Sequence, residues 1–167
     1  MTDSISSHSI HVYKQYFNFA CAHFLIFDDG SREPLHGHNY SLECKATTHE
    51  NLKQDMVMDF LDIKPIIREL CNEIDHRLIL PKNHRYLRFE TKNLFTYLYL
   101  KDNLEFMLPT KDILFLPIQN TSAERLAYYF TQKIEEKILE KFGLSFEMME
   151  VSIEETPGQA ASFFKKK

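Results

Sequence analysis

The alternation of apolar and polar positions predicts two β-strands in the first third of the chain. Residues 10–27 are rich in aromatic and β-branched side chains, as strands are. Every second residue of a strand faces one side, which groups Phe17, Phe19, Cys21 and His23. Residues 36–48 alternate in the same way and group His36, His38, Tyr40, Leu42 and Cys44. A polar loop separates the two stretches, so we expect an antiparallel pair.

A helical period replaces this alternation after residue 60. Apolar side chains recur there at three- and four-residue spacing, which places them on one face of a predicted helix. They are Ile63, Ile66, Ile67, Leu70, Cys71 and Ile74. Asp62 is the expected N-cap, Pro65 is tolerable in a first turn, and the helix is expected to end near Asp75–His76.

The rest of the chain predicts a hairpin, a second helix and a closing strand. Residues 84–118 are expected to form an inserted or extended hairpin around a Lys-Asp-Asn turn. Thr121 and Glu124 have the spacing of a capping box and open the second helix, which Gly143 ends. In the closing strand, one face carries Met149, Val151, Ile153 and Glu155.

This order of elements predicts an α+β fold, a mainly antiparallel sheet with two amphipathic helices on one face. The length of 167 residues fits a single domain over 1–167. A net charge of −4 does not favour a nucleic-acid partner. The chain has no apolar run of signal-peptide or membrane-spanning length, and its three cysteines are widely spaced. We therefore expect a cytoplasmic protein without a membrane partner.

Three histidines are the strongest candidates for chemistry. His36 and His38 leave the same face of a strand, roughly 6.5–7 Å apart at Cα, and an antiparallel partner strand would bring His23 alongside them. Three histidine ligands without a fourth protein ligand describe an open zinc site of the catalytic kind. On spacing alone, a solvated or core pair of histidines stays open as the alternative.

Each of the other candidate site residues also has a structural interpretation without a role in chemistry. Asp75 and His76 form a proton-carrying pair if the helix breaks locally, or they merely end the helix. Glu33, on the loop before the second strand, is a candidate base or a solvated residue. Glu155 points inward and needs a partner, which a guanidine-like ligand edge would supply, or else it escapes to solvent. Cys21 is a candidate ligand or nucleophile, but a small buried hydrophobe fits it better.

Several short motifs occur together along the chain. In order they are FACAH at 19–23, HGHNY at 36–40, MVMDFLDIK at 56–64, DHRLIL at 75–80, NTSAERLA at 120–127 and EET at 154–156. With this combination the chain resembles the family of 6-pyruvoyl-tetrahydropterin and 6-carboxy-tetrahydropterin synthases. The resemblance covers nearly the whole chain, and the segment 84–118 is longer than in compact members.

The resemblance implies the tunnelling fold, whose subunits join their sheets into a barrel as trimers, with two trimers stacked as a hexamer. It implies a homo-oligomer, a trimer or a dimer of trimers, with active sites between subunits. It also implies Zn²⁺ on His23, His36 and His38, and 7,8-dihydroneopterin triphosphate as the substrate.

The same resemblance implies roles for four more residues. Glu155 would hold the amino-pyrimidine edge of the pterin, and Ser122 would be a further substrate-binding residue. Asp75 and His76 would form an acid–base pair.

One departure from the family pattern bears on the product. Members that make 6-pyruvoyl or 6-carboxy products carry a cysteine a few residues before HGH, whereas here that stretch is SREPL, with Arg32 or Glu33 in its place. The chain is thus similar to a glutamate-bearing subgroup that cleaves the side chain to 6-hydroxymethyl-7,8-dihydropterin for folate-type synthesis. Glu33 is then the expected catalytic base. The 6-pyruvoyl product and the 6-carboxy product of the queuosine pathway stay as alternatives, as do a non-catalytic zinc- or pterin-binding relative and a zinc hydrolase.

Overall fold

The apolar residues grouped by the sequence pattern line one side of a six-stranded sheet, and two helices pack over them. The computed structural model describes residues 6–49, 52 and 54–167. Its strands are β1 (Ser7–His23), β2 (His36–His49), β3 (Arg77–Pro81), β4 (Leu87–Lys92), β5 (Phe95–Leu100), β6 (Asn103–Pro109), β7 (Ile113–Leu116), β8 (Met148–Thr156) and β9 (Gln159–Lys166). Its helices are α1 (Phe60–Ile74) and α2 (Ala123–Phe142), with a short 3-10 turn at Thr110–Asp112.

The main sheet has the strand order β7-β3-β1-β2-β8-β9. The predicted antiparallel pairing of β1 with β2 is confirmed, with Cys21 opposite His38 and His23 opposite His36. β8 and β9 continue the antiparallel part, whereas β3 lies parallel to β1 and β7 parallel to β3. The sequence pattern does not predict β3 or β7, because both are short and apolar on both faces and so show no alternation.

β1 ends at His23 rather than at the predicted residue 27. The chain then turns back on itself in residues 25–33, which we call the Glu33 loop. Its inner end is closed by Glu33 N–H, which donates to Leu25 O at 3.0 Å. Gly30 at its tip has a φ of +78°, a conformation that side chains disfavour. This turn returns Glu33 to the end of β1.

Both helices pack on the same face of the sheet, as the sequence pattern predicts. α1 buries the six residues expected of it: Ile63, Ile66, Ile67, Leu70, Cys71 and Ile74. α2 buries Leu126, Ala127, Phe130, Thr131, Ile134 and Ile138. One core cluster joins these residues to the inner faces of β1, β2 and β8. Each fully buried large apolar side chain contributes about 1.5–3 kcal/mol, which holds the helices on the sheet.

The predicted start of α1 is wrong by one turn. Asp59, not Asp62, is the N-cap, and its carboxylate accepts a hydrogen bond from Leu61 N–H at 2.7 Å. Asp59 has the extended backbone that an N-cap requires, whereas Asp62 is already helical. Pro65 therefore lies in the second turn, where its missing N–H leaves one helix carbonyl without an intrahelical partner.

The predicted capping box of α2 does not form. Ser122 is the N-cap and its side chain makes no capping bond, while the Thr121 hydroxyl donates to Phe24 O of the neighbouring segment at 2.9 Å. Gly143 ends the helix with a φ of +63°, as predicted. Across the described ranges, no helix combines the length and the apolar character needed to cross a membrane.

Residues 87–109 form a separate three-stranded sheet, β4-β5-β6, which we call the meander. The predicted hairpin is its β5–β6 half, with Lys101 and Asp102 in the turn at positive φ. The segment 84–118 is therefore more than a hairpin, since it also supplies β4 to the meander and β7 to the main sheet. The meander covers the sheet face opposite the helices, in a second core of Phe24, Ile26, Leu78, Leu80, Leu98, Leu100 and Ile113.

Candidate metal and substrate site

The three histidines predicted as metal ligands converge where β1 and β2 meet. His23 is the last residue of β1 and lies opposite His36, the first residue of β2. The two-residue period of β2 places His38 on the same side. One ligand nitrogen of each histidine lies within 4.8 Å of the other two. The predicted convergence is confirmed, and the group is able to hold a metal ion.

Hydrogen bonds hold two of these imidazoles in the form that a metal needs. Nδ1 of His23 lies 3.0 Å from Thr121 O, and Nδ1 of His36 lies 2.8 Å from Pro34 O. Because a carbonyl oxygen only accepts, each Nδ1 carries a hydrogen, so the neutral form of each ring has its lone pair on Nε2. Burial lowers the pKa of His23, so its ring is neutral near pH 7. Neutral imidazoles oriented by backbone carbonyls are suitable zinc ligands, and this donor set fits zinc.

Gly37 allows β1 and β2 to approach closely between the ligands. A Cβ at Gly37 would lie 2.9 Å from Cys21 O and 3.5 Å from Ala22 Cα. The first distance is shorter than contacts of real Cβ atoms, so a larger residue would push the strands apart. The glycine between the two histidines is therefore a requirement of the strand pair.

Glu155 points inward, as its parity in β8 predicts, and its partner is Tyr40. The Tyr40 hydroxyl donates to Glu155 Oε1 at 2.8 Å and lies 3.1 Å from His23 Nε2. Burial and then this bond raise the pKa of Tyr40. Glu155 Oε1 is also 3.5 Å from His23 Nε2 and 3.7 Å from His38 Nε2. Sequence reasoning missed Tyr40 as a site residue, although it shares the parity of His36 and His38.

Glu33 lies beside the end of β1, with one carboxylate oxygen fixed. Its Oε2 accepts a hydrogen bond from Leu25 N–H at 3.1 Å. Its charge is among the smaller causes that raise the pKa of Tyr40. Within the described part of the chain, Oε1 of Glu33 has no hydrogen-bond partner. Arg32, the other residue that could stand in the cysteine position, turns its guanidinium to Glu105 instead.

Asp75 and His76 form the pair that the sequence suggests, because α1 breaks between Ile74 and His76. Asp75 is the C-cap of α1, and His76 has a φ of +57°. His76 Nδ1 lies 2.9 Å from Asp75 Oδ2, while Asp75 Oδ1 accepts a hydrogen bond from Ala20 N–H at 2.8 Å. The Ala20 bond is the main cause that lowers the pKa of Asp75.

The pair is close to the histidine cluster but is not bonded to it. His76 and His38 both line one open cleft along β1, β2 and the start of β3. Over the residues that the structure describes, no hydrogen bond or ion pair joins Asp75 or His76 to the three histidines. The His76 side chain is 83% exposed and so is open to a substrate or to a second copy of the chain.

The sequence matches a known protein family over most of its length. The model of the 6-pyruvoyl tetrahydropterin synthase family matches residues 11–166. The chain belongs to this family. It is 38% identical over 148 residues to a Methanocaldococcus jannaschii protein named provisionally as a 6-carboxy-5,6,7,8-tetrahydropterin synthase, covering 88% of this chain and 89% of that protein. The family places the chain among the synthases of pterin biosynthesis.

Solved structures of the family have the same fold. The 6-pyruvoyltetrahydropterin synthase of Plasmodium vivax is 32% identical, with a TM-score of 0.86 over 97% of this chain and 99% of that chain. Two further structures of that protein replace a catalytic glutamate by alanine or by cysteine. Over 60 residues, 36% of this chain and 49% of the other, the chain is 37% identical to a dihydroneopterin monophosphate aldolase of Pyrococcus furiosus. The tunnelling fold implied by the sequence motifs is confirmed.

Cys21 has the surroundings of a core residue rather than those of a nucleophile. It is buried in the core on the helix side of the sheet. Burial, with smaller contributions from the charges of Glu155 and Asp75, raises the pKa of its thiol to about 12. Near neutral pH the thiol stays protonated, and the thiolate is the reactive form. The interpretation of Cys21 as a small buried hydrophobe therefore fits the structure.

Ser122 follows Thr121, the residue that supports His23, but it lines a different cavity. The carbonyl oxygen of Thr121 accepts the hydrogen bond from His23 Nδ1. Ser122 lines a polar cavity with Asn120 and Arg125, separate from the cleft that contains His38. The structure does not bring Ser122 against the three histidines.

Proposed function

We propose that this synthase is a zinc-dependent lyase that cleaves the side chain of 7,8-dihydroneopterin triphosphate and releases 6-hydroxymethyl-7,8-dihydropterin. The observation that carries the proposal is the placement of Glu33. It lies on the loop where the other product classes have a cysteine, and Leu25 N–H anchors its carboxylate at 3.1 Å beside the end of β1. The catalytic glutamate of the Plasmodium vivax synthase supports a glutamate in this role.

His23, His36 and His38 would hold the zinc, which would act as a Lewis acid toward the side-chain oxygens of the substrate. Glu155 would hold the amino-pyrimidine edge of the pterin. Its Oε1 already receives the Tyr40 hydroxyl, and among the described residues its Oε2 has no hydrogen-bond partner. A carboxylate oriented in this way can accept two parallel N–H donors.

The product keeps one side-chain carbon, so the bond that breaks joins the first and second carbons of the side chain. Glu33 would take the proton from the hydroxyl on the second carbon. That carbon then becomes the carbonyl carbon of an aldehyde, which leaves with the triphosphate. The bonding electron pair stays on the first carbon, where a proton from His76 would complete the hydroxymethyl group. Asp75, 2.9 Å from Nδ1 of His76, would orient the imidazole for that transfer.

We also propose that the active unit is a homo-oligomer in the cytoplasm, a trimer or a dimer of trimers. β7 and β9 are the outer strands of the main sheet, and each has one neighbour only in the described part of the chain. A second copy could pair with such an edge. The three cysteines are free and buried, which fits a reducing compartment.

One incubation tests the function. Zinc-loaded protein is mixed with 7,8-dihydroneopterin triphosphate, and the pterin product is identified by mass. We expect 6-hydroxymethyl-7,8-dihydropterin. Glu33→Gln should lower turnover by about 10²–10⁴-fold with unchanged zinc content. Formation of 6-pyruvoyl-tetrahydropterin alone would overturn the product, and unchanged turnover in Glu33→Gln would overturn the base.

Two other products are each favoured by one relative. The Methanocaldococcus jannaschii relative favours a 6-carboxy product, and the Plasmodium vivax synthase favours a 6-pyruvoyl product. The three products differ in mass, so the same incubation separates them.

Two further classes of function predict different results. A non-catalytic binding protein would hold zinc and pterin without turnover. A zinc hydrolase needs only the three histidines and predicts no role for Glu155. Pterin affinity can be measured by fluorescence for Glu155→Ala and for the unmodified protein. Equal affinities would favour the hydrolase.

A further inference from the structure

One side chain ties the Glu33 loop to the meander. The guanidinium of Arg32 donates from Nη1 to Glu33 O at 2.9 Å. On the meander it donates from Nε and Nη2 to Glu105 Oε2 at 3.1 and 2.8 Å. Its central carbon lies 4.5 Å from the ring centre of Phe106 and 5.5 Å from that of Phe24. Arg32 is therefore bonded to the loop by one nitrogen and to the meander by two.

The tip of the Glu33 loop also contacts the meander side of the molecule. Lys101, in the β5–β6 turn, donates from Nζ to Asp29 O, and the Tyr86 hydroxyl donates to Asp28 O at 3.2 Å. A Cβ at Gly30 would collide with the Lys101 side chain. Backbone oxygens of the loop thus have partners that the inserted segment supplies.

We infer that the meander positions Glu33 for catalysis and that Arg32 is the positioning residue through which it acts. The inference rests on the proposed role of Glu33 as the base. The N–H and the Oε2 of Glu33 are bonded to Leu25, inside the loop. Among the described residues, only its carbonyl oxygen is bonded to a residue that the meander holds. Arg32 is therefore the residue that joins Glu33 itself to the inserted sheet, while Lys101 and Tyr86 hold the tip of the loop.

The geometry of a base explains why such a link matters. A general base must lie within hydrogen-bond reach of the proton that it removes, and a displacement of 1 Å can cost about 10²-fold in rate. Ile26 packs in the second core at the start of the loop, but residues 27–29 and 31 are exposed. The meander is packed on the main sheet by Leu98 and Leu100. Fixing the loop to the meander restricts the range of positions of Glu33.

The chemistry of Arg32 suits this task. A guanidinium offers a planar set of donors that reaches Glu105 and the Glu33 carbonyl at the same time, while a lysine ammonium is a compact charge that cannot reproduce the fork. Arg32→Lys therefore keeps the charge and removes the geometry. Glu105→Gln keeps the size of the side chain and removes the charge that draws the guanidinium to β6.

The test compares these two variants with a matched control in the full-length, zinc-loaded protein. Glu90→Gln is the control, since Glu90 is a meander carboxylate paired with Arg88 and Lys92 and not with the Glu33 loop. With 7,8-dihydroneopterin triphosphate as substrate, we expect Arg32→Lys and Glu105→Gln to lower kcat by roughly 10- to 100-fold. KM should change little, and the control should match the unmodified protein.

A double-mutant cycle separates positioning from general stability. On a Glu33→Gln background, adding Arg32→Lys should lower kcat no further, because the group to be positioned is already inactive. The inference would be overturned if the two substitutions lowered kcat independently, so that their effects multiplied in the double variant. It would also be overturned if kcat of Arg32→Lys and Glu105→Gln equalled that of the control. Either result would leave the proposed function intact. If Glu33→Gln alone has full turnover, the proposed base fails instead. Urea unfolding of each variant identifies loss of folding.

Discussion

Replacing Gly37 with alanine tests whether the spacing of β1 and β2 sets the metal site. The added carbon would lie 2.9 Å from Cys21 O, whereas ordinary contact begins at 3.4 Å, half an ångström further out. Overpacking of this kind costs about 1–3 kcal/mol. Gly37 lies between two candidate ligands and opposite the strand that ends in His23, so the shift alters the separation of the three candidate ligand nitrogens. Misoriented ligands bind metal about 10–100-fold more weakly.

Zinc affinity measured by competition with a chromogenic chelator, beside a urea unfolding curve, checks this prediction. Gly143→Ala is the matched control, because Gly143 has a φ of +63° and no atom within 4 Å of the added carbon. An alanine in that conformation costs about 1–2 kcal/mol at the end of α2, away from the ligands. Zinc affinity should fall in Gly37→Ala only. Unchanged zinc affinity in Gly37→Ala, or an equal loss in both variants, would refute the reasoning.

Three further predictions concern stability and reactivity. Tyr40→Phe removes the hydroxyl that donates to Glu155 at 2.8 Å, so it should cost about 1–3 kcal/mol of unfolding free energy in urea, and an unchanged midpoint would contradict it. Asp59→Ala should cost about 1 kcal/mol because it removes the cap of α1, while Asp62→Ala should be close to neutral; equal costs would argue against the observed cap. Burial raises the pKa of Cys44 from 9.0 to about 12. The buried neutral thiol therefore contributes fully to the free energy of unfolding below pH 9, and this contribution is lost as the pH rises toward 12. At pH 8 the native protein should react with a thiol reagent far more slowly than the urea-unfolded protein, and fast native labelling would contradict this.

The elements that carry the site were predictable because each buries one face only. β1, β2, α1 and α2 each have one face in the helix-side core, so a two-residue or a helical period is visible in the sequence. β3 and β7 alternate between the two cores, with Leu78 and Leu80 in the second core and Ile79 in the first. A strand that is apolar on both faces shows no period, and the pattern is silent there.

The residues of the site also divide into those that a local pattern predicts and those that only the fold brings together. Parity along β1 and β2 groups His23, His36 and His38 before any fold is known. The sequence does not decide whether the partner of Glu155 is a ligand or solvent, and the structure shows that Tyr40 fills part of that role. The Asp75–His76 pair depends on a break in the helix, which becomes visible only once His76 N–H donates to Ala20 O of β1 at 2.7 Å.

The sequence by itself determined which face of each strand carries the histidines, where the helices bury their apolar residues and which loop carries Arg32 and Glu33. Only the tertiary structure decided which distant residues meet at the site. Tyr40 and Glu155 are 115 positions apart, and Arg32 and Glu105 are 73 apart. Periodicity records which way a side chain points relative to its neighbours in the chain. Such distant contacts follow from the order of the strands and the packing of the meander, which no local pattern specifies.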